Sequence, residues 1–124
     1  MFEKDLLKNK TVIVTGGGTG LGKSMAKQFG LLGAKLSICG RRKEVIDAAV
    51  QELKETEAEV LGVQCDVRSG EDVQRMFNET VSTLGPVNVL LNNAAGNFIS
   101  PTERLSENAF RTIVDIVLTG TFNC

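Results

Sequence analysis

The sequence predicts an α/β protein built on one doubly wound, parallel sheet, and three observations carry that expectation. Short apolar, β-branched runs alternate with stretches whose apolar residues recur every three or four positions. A glycine cluster lies directly between the first such run and the first helical stretch. Each strand is short and flanked by helices, so parallel βαβ units with right-handed crossovers are expected, with the sheet covered on both faces.

The elements follow in order. Thr11-Val-Ile-Val-Thr15 is the first strand, and Gly16 to Gly22 is the turn and helix start. Lys23 to Leu32 carries Met25, Ala26, Phe29 and Leu32 at helical spacing, with Gly30 and Gly33 marking its fraying end. Lys35 to Cys39 is the second strand; Val45 to Lys54, with Val45, Ala49, Val50 and Leu53 on one side, is the second helix. Val60 to Cys65 is the third strand, ending at Asp66. Ser69 followed by Asp72 reads as a capping box for a helix carrying Val73, Met76, Phe77 and Val81, which Gly85-Pro86 closes. Val87 to Leu91 is the fourth strand and Asn92 to Thr102 a polar loop. From Ser106 onward, Phe110, Ile113, Val114, Val117 and Leu118 form one apolar helical stripe.

Length and composition bound the function. A chain of 124 residues, 42% apolar, supplies the core of one modest domain. A net charge of -1 with both signs interspersed offers no basic face for nucleic acid. MFEKDLLKNK at the start has acidic residues and no apolar core, so it reads as neither secretory nor transit peptide, and no run approaches membrane-spanning length. Cys39, Cys65 and Cys124 are an odd count without metal-type spacing, so reduced thiols, a cytoplasmic setting and no metal site are expected. The chain has no His, Tyr or Trp. Proton transfer within it is therefore left to carboxylates, lysines, cysteines or assisted hydroxyl groups.

Thr15 to Gly22 reads TGGGTGLG, and its glycines have separate physical tasks. Gly16 permits the tight turn off the strand, Gly20 lets backbone approach a pyrophosphate, and Gly22 lets the helix pack closely. The helix N-terminus then offers free N–H groups to an anion. The same stretch admits a second reading, because GGTGLGKS at Gly17 to Ser24 also satisfies the nucleoside-triphosphate P-loop pattern. That reading needs an acidic residue at the end of a neighbouring strand, and Asp66 is the candidate, although polar Gln64 fits an apolar strand poorly.

Cofactor choice is written at the end of the second strand, where an NAD site of this architecture places Asp or Glu for the ribose 2′-hydroxyl. Here the place reads Cys39-Gly-Arg-Arg-Lys43. Arg41 and Arg42 would attract a 2′-phosphate and grip it with paired donors, which points to NADP(H), with Arg41 the stronger candidate.

TGGGTGLG, CDV at Cys65 to Val67 and NNAAG at Asn92 to Gly96 together resemble the short-chain dehydrogenase/reductase superfamily, in order and spacing, over essentially the whole chain. Within it, NNAAGNFISPTERLS at Asn92 to Ser106 resembles the 2,4-dienoyl-CoA reductases. The resemblance implies a Rossmann-type fold in which residues 1–124 are the NADP-binding half of a single-domain enzyme, truncated at Cys124. It implies cofactor contacts at Gly16, Gly18, Thr19, Gly20, Leu21, Gly22, Arg41, Arg42, Asp66, Val67, Asn93 and Ala94, with Asp66 and Val67 bordering the adenine and Asn93 near the ribose. It implies acyl-CoA contacts at Arg68, Phe98 and Ser106, and at Asn97 a hydrogen bond to the thioester oxygen as a dienolate forms.

Read from the residues alone, Asp66 can equally cap a turn, Asn92 and Asn93 can tie the loop to the sheet, and Phe98 can be core. Many superfamily members carry an Asn in the helix where this sequence has Val117, a loss the dienoyl-CoA reductases share. The superfamily's Tyr and Lys would fall beyond Cys124, so the chain alone is expected to turn over weakly or not at all. The reaction implied is NADPH-dependent reduction of a 2,4-dienoyl-CoA to a 3-enoyl-CoA, by a homotetramer. A 3-oxoacyl-thioester or other carbonyl reductase, a non-catalytic nucleotide-binding module and a P-loop NTPase are the alternatives.

Overall fold

The computed structural model describes residues 2–124 and builds them around a four-stranded sheet in the order β3-β2-β1-β4, every neighbouring pair parallel. The strands are β1 (Thr11–Thr15), β2 (Lys35–Gly40), β3 (Val60–Gln64) and β4 (Val87–Leu91). Between them run α1 (Gly20–Leu31), α2 (Lys43–Lys54) and α3 (Gly70–Leu84). After β4 come a 3-10 turn (Thr102–Arg104), α4 (Glu107–Val114), a π-helical segment (Asp115–Thr119) and a last turn, α5 (Gly120–Asn123). The chain thus moves outward from β1 through β2 to β3, then returns to lay β4 on the other side of β1. That reversal opens a crevice at the carboxyl ends of β1 and β4, where open α/β sheets bind ligands.

Side chains alternate across the strands and feed two cores. On one face Val12, Val14, Leu36 and Ile38 pack with Ala26 of α1 and with Ile46, Ala49 and Leu53 of α2. On the other, Ile13, Cys39 and Val63 meet Val73 and Met76 of α3, and Cys65 joins them from just beyond β3. Each fully buried aliphatic side chain of this size contributes about 1.5–3 kcal/mol, so these two layers hold the glycine loop's scaffold in place.

Several elements differ from expectation for identifiable reasons. Helix α1 begins at Gly20 rather than Lys23, because extended Thr19 and Gly20 at φ +53° turn the chain early enough for Leu21 and Gly22 to enter the first helical turn. Its buried stripe is Gly22, Ala26 and Gly30, while Met25, Phe29 and Leu32 are half-buried. Gly30 is therefore a packing residue inside the helix and not a fraying end. A Cβ there would meet Thr56 Oγ1 at 2.5 Å and Leu36 Cδ1 at 3.2 Å.

The capping box is half-made. Ser69 Oγ accepts the Asp72 N–H at 3.2 Å, but the Ser69 N–H is already donated to the Asp66 carbonyl at 2.9 Å. The Asp72 carboxylate accepts the Asp66 N–H instead, at 2.9 Å. Further along α3 the buried positions are Val73, Met76, Thr80 and Leu84, and Phe77 and Val81 lean into solvent. Thr80 is drawn inward by polar partners: its hydroxyl pairs with Ser37 Oγ at 2.7 Å and donates to the Met76 carbonyl at 2.8 Å.

Two expectations about cover are corrected. Val89 and Leu90 of β4 are each 38% exposed, because α1, α2 and α3 lie over β1, β2 and β3 and leave much of β4 open. The terminal stripe is also not continuous. Ile116 and Gly120 are buried, while Phe110, Val117 and Leu118 face solvent.

Candidate functional site

The crevice at the switch point is a cleft of about 370 Å³ that gathers all twelve residues expected to contact a cofactor. The glycine loop contributes Gly16, Gly18, Thr19, Gly20, Leu21 and Gly22; the corner between β2 and α2 contributes Arg41 and Arg42. The segment after β3 supplies Asp66 and Val67, and the loop after β4 supplies Asn93 and Ala94.

The loop's shape follows from its local chemistry. Gly16 has φ +65°, a left-handed turn that side chains disfavour, and a Cβ on it would touch Ala94 Cα and Asn93 Nδ2 at 3.0 Å. A Cβ on Gly22 would be driven into Asn93 Nδ2 and the Gly16 carbonyl oxygen, so Gly22 serves the loop's approach to α1. Gly17 has its own reason to be glycine, since a Cβ would lie 2.8 Å from the Ile38 side chain. Gly20 is different: its φ is +53° and nothing lies within 4 Å of a Cβ position. The Thr19 side chain leaves the first turn of α1 uncapped, and Thr19, Gly20 and Leu21 all line the cleft. Open space before an uncapped helix N-terminus suits a pyrophosphate.

A clamp from Thr15 joins this loop to the segment after β4. Thr15 Oγ1 accepts the N–H groups of Asn93 and Ala94, both at 3.0 Å. Asn93 Nδ2 in turn donates to the Thr15 carbonyl at 3.1 Å and the Gly16 carbonyl at 3.3 Å. Asn93 thus lines the cleft while its amide hydrogens hold the loop.

Arg41 and Arg42 are exposed, and neither guanidinium pairs with a carboxylate among the described residues. Asp66 is not free in the same way. Arg68 forks onto it, with Nε 3.0 Å from each carboxylate oxygen and Nη2 on Oδ2, and the Arg68 N–H donates to Oδ1 at 3.0 Å. These bonds hold the Asp66 carboxyl below the ordinary carboxylate range against the opposing effect of burial. Beneath this wall lie Cys39 and Cys65, both buried free thiols that line the cleft. Each thiol acts on the other, drawing Cys65 down and, together with burial, pushing Cys39 up.

The residues expected to meet an acyl chain are not in this cleft. Asn97 and Phe98 stand in the exposed loop after β4, where Asn97 Oδ1 accepts the Phe98 N–H at 2.8 Å. Ser106 is the N-cap of α4 and accepts the Ala109 N–H at 3.1 Å, and Arg68 is engaged by Asp66. Lining residues absent from the sequence reading are Cys39, Gly40, Val45, Ile46, Cys65, Ala95 and Ile116. Cys65 and Ala95 belong to the CDV and NNAAG motifs, and Cys39 and Gly40 end β2. Ile116 falls three residues after Ile113, a helical spacing that the stripe read through Val117 and Leu118 passed over.

The P-loop reading loses its central cation here. Lys23 Nζ donates to Glu52 Oε2 of α2 at 2.7 Å, away from the glycines, and Asp66 is committed to Arg68.

A parallel sheet with a glycine loop at its first strand-to-helix turn and a cleft at its switch point is a doubly wound, Rossmann-like α/β protein. The chain belongs to the short chain dehydrogenase family, whose model matches residues 10–124. Over 122 residues it is 43% identical to the peroxisomal 2,4-dienoyl-CoA reductase of Arabidopsis thaliana, covering 98% of this chain and 41% of that protein. It is 42% identical over 118 residues to a probable 2,4-dienoyl-CoA reductase of Bacillus subtilis, covering 95% of this chain and 46% of the relative. A crystal structure of a short chain dehydrogenase from Bacillus anthracis matches with a TM-score of 0.89 at 45% identity, over 94% of this chain and 48% of that one. The citronellol catabolism dehydrogenase of Pseudomonas aeruginosa matches with a TM-score of 0.91 at 32% identity, over 99% and 50%. The chain therefore spans between 41% and 50% of the length of these four proteins.

Proposed function

We propose that this chain is the NADPH-binding half of an oxidoreductase that reduces 2,4-dienoyl-CoA thioesters to 3-enoyl-CoA. The observation that carries the reading is the convergence of the open glycine loop, the unpaired Arg41 and Arg42, and Asp66 with Val67 on one cleft at the switch point. The names of the Arabidopsis and Bacillus subtilis relatives support the choice of substrate.

Each group in the cleft then has a task. The uncapped first turn of α1, with Gly20 leaving room, would receive the pyrophosphate. Arg41 and Arg42, whose guanidinium groups form no ion pair among the described residues, would grip the 2′-phosphate, with Asp66 near enough to feel the Arg41 charge. Val67 would border the adenine, and Asp66, held in place by Arg68, would accept hydrogen bonds from the adenosine end. Asn93 and Thr15 would keep the loop in register beneath the ribose. A reduced nicotinamide, when bound, supplies a hydride to the δ-carbon of the conjugated thioester.

Electrons pushed through the diene accumulate on the thioester oxygen, and Asn97 is placed by resemblance to stabilise them. Its local geometry has the right polarity, because Oδ1 is taken by the Phe98 N–H and Nδ2 keeps its hydrogens available for an oxyanion. Phe98 would pack on the acyl portion, while Arg68 and Ser106 would approach the CoA. The proton-donating Tyr of the superfamily has no counterpart in these 124 residues, which contain no Tyr, so by that resemblance the proton that completes the 3-enoyl product would come from outside them.

The test uses the full-length protein and follows NADPH consumption with a 2,4-dienoyl-CoA and, in parallel, an acetoacetyl thioester. Consumption with the dienoyl substrate and a product double bond at carbon 3 are expected. Preference for the oxoacyl thioester would favour a carbonyl reductase and overturn the proposal. A double bond at carbon 2, as in the product named for the Bacillus subtilis relative, would overturn the assigned product.

A further inference from the structure

We propose that Gln64 sets the cofactor preference of this cleft by holding the Arg41–Arg42 corner in position, an inference that rests on the NADPH reading above. Gln64 is the polar last residue of an otherwise apolar strand, Val60–Gln64. Its side-chain Nε2 donates to the Arg41 carbonyl at 2.8 Å. That oxygen belongs to the peptide joining Arg41 to Arg42, so anchoring it fixes the peptide plane and with it the direction in which both side chains leave the backbone. The Arg42 carbonyl accepts the Ile46 N–H at 3.1 Å as α2 begins, and among the described residues Gln64 supplies the one side-chain hydrogen bond to the backbone of the corner. It lies between the end of β2 at Gly40 and the start of α2 at Lys43, and Arg42 is extended, with φ −95° and ψ 108°.

Gln64 is itself held from α3. Arg75 Nη2 donates to the Gln64 carbonyl at 2.9 Å and to Asp72 Oδ1 at 3.2 Å, and Arg75 Nη1 reaches Glu79 Oε1 at 3.5 Å. Asp72 Oδ2 accepts the Asp66 N–H, and the Cys65 N–H donates to the Gly40 carbonyl at 2.9 Å. The end of β3 is thus a post, braced on α3, that supports the arginine corner on one side and the Asp66 wall on the other. A pair of arginines anchored through their backbone, with no carboxylate on their guanidinium groups, is ordered for an external dianion. NADPH and NADH differ only in that 2′-phosphate, so releasing the corner weakens one and spares the other.

The experiment is a fluorescence titration of the full-length protein with NADPH and with NADH, comparing the parent with Gln64→Leu, Gln64→Glu and the double variant Arg41→Ala/Arg42→Ala. Loss of one such hydrogen bond raises the NADPH Kd of Gln64→Leu about three- to tenfold, with the NADH Kd moving less than about twofold. Gln64→Glu, which loses the donor and adds a negative charge, weakens NADPH further. Equal weakening of both cofactors by Gln64→Leu, or no change in their ratio, overturns the proposal. The double variant separates the two levels. If it leaves the NADPH/NADH ratio unchanged, the NADPH reading itself fails; if it collapses the ratio while Gln64→Leu does not, only the role of Gln64 fails.

Discussion

Two glycines of the same loop separate stability from binding. Gly22 has neighbours on the Cβ side, and Gly22→Ala forces Asn93 or the Gly16 backbone to move, at a cost of about 1–3 kcal/mol that urea unfolding would register. Gly20 has open space, so Gly20→Ala carries only the backbone cost of a left-handed residue, about 1–2 kcal/mol. It also puts a methyl group where the pyrophosphate is proposed to lie. Dinucleotide affinity therefore falls at least as far in Gly20→Ala, despite the absence of any clash in the free protein. Equal affinity of Gly20→Ala and parent would contradict the placement. Asp66 offers a pH signature. Its folded pKa lies below the unfolded value, near 3.8, so its contribution is complete above that value and fades as pH falls through the lowered one. Asp66→Asn is less stable than parent at neutral pH, and the gap in unfolding midpoint closes on acidification below about pH 4. At this scale the turn at Gly16 and the close packing at Gly22 were legible because their chemistry is local. Asn93 was legible as a residue able to tie the loop to the sheet, but its partner Thr15 was not, since the two lie 78 apart in the chain and meet only once β1 and β4 are paired.

Helix α3 shows how a polar contact redirects an element. Apolar periodicity favoured Phe77 and Val81, yet the buried face runs through Thr80, which meets Ser37 of β2 at 2.7 Å with no exposure on either side. Thr80→Val leaves the Ser37 hydroxyl buried without that partner and costs about 1–3 kcal/mol. The double variant Ser37→Ala/Thr80→Val removes both groups and recovers part of the loss. Denaturant unfolding of the four proteins in this cycle checks it, and strict additivity would contradict a coupled pair. Strand positions and the order of elements were legible because short apolar runs, turn glycines and helical spacing agree with one another. The inward turn at Ile116 was not, because Ile116 and Val117 are both apolar and both fall at helical spacing from Ile113, so the pattern does not choose between them. Gly120 marks the same event: a Cβ there would lie 2.6 Å from Val67 Cγ2, so the last turn is pressed against the wall of the cleft.

Across the whole molecule, the adenosine-side features converge and the acyl-side features remain apart. The twelve cofactor candidates line one cleft, whereas Asn97 and Phe98 stand on an exposed loop and Phe110, Leu118 and Phe122 present apolar surface at 58%, 69% and 86% exposure. The homotetramer expected by resemblance is a separate proposal, which the native mass of the full-length protein checks. The distinction between a dinucleotide site and a P-loop is the deepest division the sequence left open, since one glycine run satisfied both patterns. The Lys23–Glu52 pair and the free arginine corner turn it toward the dinucleotide. The most direct test is a fluorescence titration of the full-length protein with NADPH in the presence and absence of magnesium-ATP. Saturable NADPH binding, tighter than that of NADH and undiminished by ATP, is the predicted result. Binding of ATP without binding of NADPH would contradict it.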